Sequence, residues 1–160
     1  MPTKTIAAKT KRSPARAAFS VQIASDAAEV PPARKLRHWA RAALRRSARV
    51  TVRIVGQREG RALNQRYRGR DYATNVLTFT YPDETVLAGD IALCAPVIAR
   101  EARDQGKALE AHYAHLLVHG LLHLQGLDHH GKRDAERMEA REVAILKRLG
   151  YSDPYTVPAT

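Results

Sequence analysis

The chain has 160 residues, 44% of them hydrophobic, which is enough for one compact core and too short for two ordinary domains. Its 27 Lys and Arg outnumber 16 Asp and Glu, so the formal net charge is +11 and the surface favours polyanions such as RNA, DNA or an anionic membrane face. No run approaches the roughly 18 apolar residues of a spanning helix, and the N-terminus lacks the apolar stretch of a secretory signal. The expected setting is therefore the cytoplasm, with no membrane partner.

Residues 1–18 carry Lys4, Lys9, Lys11, Arg12 and Arg16 and no acid, among Ala, Thr, Ser and two prolines; they read as a disordered basic arm. The folded domain is expected over 19–155, with 156–160 as a tail. Alternation over 19–23 predicts a first strand, and Pro31-Pro32 open a helix whose apolar side is Leu36, Trp39, Ala40, Ala43 and Leu44. Arg34, Arg37, Arg41, Arg45 and Arg49 recur on another side as a cationic ridge.

Residues 50–55 alternate as a strand, 57–67 read as a helix, and 76–81 are β-branched and aromatic enough for a third strand. Gly89 opens a fourth through Ile91 and Leu93. Cys94, the only cysteine, ends that apolar run; it excludes an intrachain disulfide and reads as a buried, inert thiol. Helices follow over about 96–105, 109–125 and 132–149, the last capped by Gly150. Strands come early and helices late, so the expected fold is α+β: a single domain with a small mixed sheet of about four strands and about five helices.

Six of the seven histidines lie between residues 112 and 130. His119 and His123, four apart on a helix, can aim imidazole nitrogens at one ion. Gly126 can take a left-handed backbone, end the helix and return His129 to the same ion. The pattern H-x-x-x-H-x-x-G-x-x-H has the ligand spacing of metzincin proteases, but Gly120 stands where their glutamate base would be. Three neutral imidazoles leave zinc an open position for water, whose pKa falls to about 7, so that phosphorus or a carbonyl carbon can be attacked.

His112 and His115 extend the helical stripe, and His115 with His119 is an alternative pair. Neither has a turn glycine and third histidine placed beyond it, so core or supporting roles suit them better. Asp128 either orients a ligand imidazole or stabilises the turn, and His130 is expected to face solvent.

Three blocks resemble the YbeY family of bacterial endoribonucleases: Tyr67-Arg68-Gly69-Arg70-Asp71-Tyr72-Ala73-Thr74-Asn75-Val76-Leu77-Thr78-Phe79, then Gly89-Asp90-Ile91, then the run from His119 to His129. The likeness extends over about 50–155. It implies one zinc ion per chain on His119, His123 and His129, and cleavage of single-stranded RNA. It also implies a part in 3′-end maturation of 16S ribosomal RNA, with the small ribosomal subunit as partner, and in ribosome quality control. Tyr72-Ala73 precedes Thr74 where a proline is common, and Leu127 stands where an aromatic often precedes the aspartate; neither touches an expected ligand.

The resemblance also gives Arg68 a part in catalysis or RNA binding. Its guanidinium can grip a phosphate through two parallel hydrogen bonds, and the competing role is a loop arginine paired with Asp71. Thr74 and Asn75 are expected to shape the turn into the next strand. Two other functions compete with the metallo-endoribonuclease: a zinc hydrolase of another substrate, such as a peptidase, which the missing glutamate and the charge of +11 disfavour, and a ribosome-assembly factor with structural zinc.

Overall fold

The computed structural model describes residues 18–27, 29–82, 86–127 and 130–156. Within them lie β1 (Ala18–Ile23), α1 (Ala33–Ala43), β2 (Ala48–Val55), α2 (Gln57–Arg68), β3 (Val76–Thr80), β4 (Leu87–Cys94), α3 (Ala95–Gln105), α4 (Leu109–Leu124) and α5 (Lys132–Arg148). The fold is α+β, with one mixed sheet of four strands and five helices among the described residues. The basic arm falls outside them except for Ala18, and so does the tail beyond Thr156.

The sheet order is β1-β2-β4-β3, with β1, β2 and β4 parallel and β3 antiparallel to β4. Strands β2 and β4 are central, and their alternate side chains enter different cores. Val50, Val52, Ile54, Ile91 and Leu93 face the larger one with α1, α4 and α5, whereas Val55, Ala92 and Cys94 join Leu63 of α2 and Leu77 of β3 on the reverse face. Both central strands are thus mostly buried on both sides, as parallel strands covered by helices must be.

The edge strand β3 divides its residues the same way. Leu77 and Phe79 pack into the reverse core. Thr78 is left on the α4 face, where its Oγ1 would lie 3.4 Å from a Cβ at Gly120.

Helix α4 is the axis of the larger core. It packs against α1, α3, α5, β3 and β4, and Tyr113, Leu117, Val118, Leu121 and Leu122 are buried almost completely. A helix with so many neighbours must be apolar nearly all round; of its histidines, His112 is buried and His123 is exposed.

Helix α1 ends sooner than the arginine ridge requires. The Gln125 side chain donates to the carbonyl of Ala43 at 2.9 Å and accepts from the Arg45 amide at 2.9 Å, and Leu44 turns extended. The ridge is therefore split: Arg34, Arg37 and Arg41 are exposed on α1, Arg45 lies on the following turn, and Arg49 is half-buried on β2.

Candidate active site

The end of α4 is built as the spacing of Gly126 predicts. Gly126 has φ 101°, its amide donates to the His123 carbonyl at 3.0 Å, and the Leu127 amide reaches back to the Leu122 carbonyl at 3.1 Å. These two bonds stop the helix in a left-handed turn immediately after His123. Asp128 and His129 lie outside the described residues.

His119 and His123 open onto a groove of about 820 Å³ between the last two turns of α4 and the edge strand β3. Arg68, Tyr67, Thr74, Asn75, Thr78, Thr80 and His130 also line it, so the expected arginine and two of the three expected metal ligands share one cavity. His130 is exposed, as expected, but forms part of the groove wall.

Arg68 reaches the groove because α2 ends there: Gly69, at φ 70°, caps the helix and turns the chain. The loop that follows is anchored by Asn64, whose amide donates to the Tyr72 carbonyl at 2.6 Å. The pairing of Arg68 with Asp71 does not occur. Arg61, two turns earlier on α2, holds both oxygens of Asp71 at 2.7 and 3.0 Å, and this bidentate contact draws the Asp71 carboxyl below its usual pKa. Among the described residues, no carboxylate pairs with Arg68.

Asn75 shapes the entry to β3 as expected. Its Oδ1 accepts from the Val76 amide at 2.6 Å, its backbone carbonyl accepts from Cys94 at 2.9 Å, and its amide donates to Glu101 at 3.0 Å. Cys94 is buried, donates to the Gly56 carbonyl at 3.6 Å, and has its thiol pKa raised by burial; it is the inert thiol expected.

The stripe of histidines divides by partner. His112 is buried, shares Glu101 with Asn75 through its Nε2 at 2.9 Å, and has its pKa lowered by that burial. His115 Nε2 donates to Glu142 at 3.0 Å and lies 3.2 Å from the Tyr155 hydroxyl. His119 Nδ1 donates to the other oxygen of Glu142, and His123 Nδ1 donates to the Leu127 carbonyl at 3.2 Å.

Glu142 itself gave no warning beyond its place on α5, where it is the lone acid in the buried stripe Met138, Glu142, Ile145. It is wholly buried. Burial pushes its carboxyl pKa up, but hydrogen bonds from His115 and His119 and the nearby imidazole outweigh that and bring it to about 2. The Tyr155 hydroxyl also donates to it, and burial together with that bond raises the phenol's own pKa.

These partners decide the tautomers. A carboxylate and a peptide carbonyl only accept, so His119 and His123 each carry hydrogen at Nδ1, and in the neutral ring the lone pair then falls at Nε2. That is the form in which imidazole ligates a metal while its other nitrogen is held by a carboxylate or carbonyl. The donor set therefore suits zinc, although the described residues contain no group of three His, Cys, Asp or Glu that would complete a metal cluster. Gly120, beside His119, faces the sheet, where an added Cβ would sit 3.3 Å from Ile91 and 3.4 Å from Thr78. A protease-type glutamate at that position would have to push these side chains aside.

Among the described residues no helix is long and apolar enough to cross a membrane. The sequence pattern of the family described as Endoribonuclease YbeY matches residues 21–150. The chain is 55% identical over 153 residues to Endoribonuclease YbeY of Aromatoleum aromaticum, spanning 94% of this chain and 99% of that protein. It is 61% identical over 132 residues to Endoribonuclease YbeY of Methylibium petroleiphilum, spanning 82% and 88% respectively. The solution structure of TM1509 from Thermotoga maritima is similar to it at a TM-score of 0.54 and 25% identity, over 85% of this chain and 99% of that one. With the family match covering most of the chain and the relatives aligned nearly end to end, the protein belongs to the YbeY family of endoribonucleases.

Proposed function

We propose that this endoribonuclease uses one zinc ion per chain, held by Nε2 of His119 and His123 and by His129, to cleave single-stranded RNA. The observation that carries the reading is the shared groove, in which two imidazoles with Nδ1 committed to fixed acceptors stand with Arg68. When bound, zinc supplies a Lewis acid that brings the pKa of a water to about 7.

The chain's own residues do the rest. Arg68, exposed at the C-terminal end of α2, grips the scissile phosphate through two parallel hydrogen bonds and offsets the charge that builds on its oxygens. Tyr67, 40% exposed and packed edge-on against Phe79 with centroids 4.9 Å apart, offers a fixed ring to an unstacked base. Such a ring serves a single strand, whose bases are splayed, better than a duplex. Exposed arginines on α1 and the basic arm gather the strand without reading it.

The substrate is the 3′ end of 16S ribosomal RNA on the small subunit, in the cytoplasm, and the enzyme also takes part in ribosome quality control. Zinc content of protein purified without added metal, measured with RNA cleavage before and after chelation, tests the reading. One zinc per chain, absent from His123→Ala together with cleavage, is expected. Full zinc content in His123→Ala, or cleavage that survives removal of metal, would overturn it.

A further inference from the structure

Glu142 lies on a different helix from the histidines and outside the groove, yet its two oxygens collect three side-chain donors. Oε2 takes His119 Nδ1, while Oε1 takes His115 Nε2 at 3.0 Å and the Tyr155 hydroxyl. The carboxylate is wholly buried between α4 and the segment after α5, so its direction is set by packing and not by solvent. An unpaired buried carboxylate would be costly, and these donors compensate for its burial.

The geometry points to Glu142 as a positioning residue for metal binding: by accepting from His119 Nδ1 it holds that imidazole in the tautomer and ring orientation that present Nε2 to the groove, and His115 and Tyr155 in turn hold Glu142. The inference rests on the zinc reading above and adds residues to it. Three features support it. The His119 side chain is 28% exposed, so its ring is only partly enclosed, and the Glu142 carboxylate is the acceptor at its Nδ1. His115 has its Nδ1 buried without a partner and directs its Nε2 to Glu142 and Tyr155, a placement that serves the carboxylate and not the apolar core. Tyr155 lies beyond α5, where no helix requires a residue, and reaches back to the same oxygen.

The role of the carboxylate is distinct from that of the ligands. Glutamine at 142 keeps one acceptor oxygen but places an NH2 where the second acceptor stood, so His119, His115 and Tyr155 can no longer all donate to it. Removing an acceptor behind a ligating imidazole weakens metal affinity by about 10–100-fold without removing a ligand.

The test is zinc affinity, measured by competition with a chromogenic chelator, alongside thermal unfolding of the metal-free protein and RNA cleavage. Glu142→Gln should fold, bind zinc about 10–100-fold more weakly, and regain cleavage when zinc is raised. Tyr155→Phe, which removes one donor to Glu142 and no ligand, should weaken affinity several-fold with a smaller change in thermal unfolding than any core truncation. Unchanged affinity in folded Glu142→Gln would overturn the inference. If that variant does not fold, Tyr155→Phe decides: weaker zinc binding supports the role, and wild-type affinity ends it. Wild-type protein that takes up no zinc would instead overturn the metal site itself, and the inference with it.

Discussion

Arg61 holds Asp71 with two hydrogen bonds, and Arg68, two turns along the same helix, is thereby left to the groove. Stability and chemistry should separate accordingly. Arg68→Ala should keep its zinc and its unfolding temperature but lose RNA cleavage. Arg68→Lys keeps charge but not the planar fork, and should lose about 1.5–3 kcal/mol of transition-state binding, read from kcat/KM. Wild-type cleavage by folded, zinc-loaded Arg68→Ala would remove Arg68 from the site.

Gly89 sits where β3 and α4 close on β4. A Cβ there would lie 2.4 Å from the Phe79 carbonyl oxygen and 2.4 Å from Leu124 Cδ1. The backbone oxygen cannot swing aside as a side chain can, so Gly89→Ala should destabilise by about 1–3 kcal/mol or more. Denaturant unfolding measures it; an unchanged midpoint would mean that β3 is not held this closely against β4.

Removing residues 1–17, which stops short of β1, should leave the fold intact and weaken binding to single-stranded RNA. The slope of log affinity against log salt should fall by roughly 0.7 for each phosphate that the arm no longer neutralises. Sequence preference should not change, because phosphate contacts position a strand without reading bases. An unaltered affinity and salt slope would show that the arm has another purpose.

Acid stability should depend on Glu110. Its carboxyl pKa is lowered by hydrogen bonds from Lys35 and Tyr151, against some burial. A folded pKa below the unfolded value means that the contribution is present above the ordinary carboxyl pKa, near 4.5, and disappears as pH falls through the folded one. Glu110→Gln should therefore lower stability at neutral pH and narrow its gap from wild type below pH 4.5. Equal gaps at neutral pH and well below pH 4.5 would count against the pairing. The effect is small, because the carboxylate is partly exposed and solvent screens it.

The local devices were legible in the chain. Four-residue spacing of His119 and His123, Gly126 as the helix stop, and the alternation of the strands each follow from backbone geometry over a few residues, and the structure repeats them. Gly89 was legible as part of a fourth strand and of a block that carries the resemblance; the reason for a glycine there, the approach of β3 and α4 to one backbone position, is tertiary.

What sequence could not decide was the partner of each side chain. Asp71 could have paired with Arg68, and His115, ranked below His123 because no turn glycine and third histidine lie beyond it, had no assigned acceptor. Spacing along a helix supplies candidates without partners. The packing of α5 on α4 brings Glu142 to His115 and His119, and the end of α2 puts Arg68 on the same groove as His119 and His123. Parallel pairing of β1, β2 and β4 was equally hidden in an order that reads as strands first and helices later. Hydrogen bonds between distant segments depend on where helices cross, and crossing is set by the whole core at once, whereas a ligand spacing or a glycine turn is set by a handful of adjacent residues.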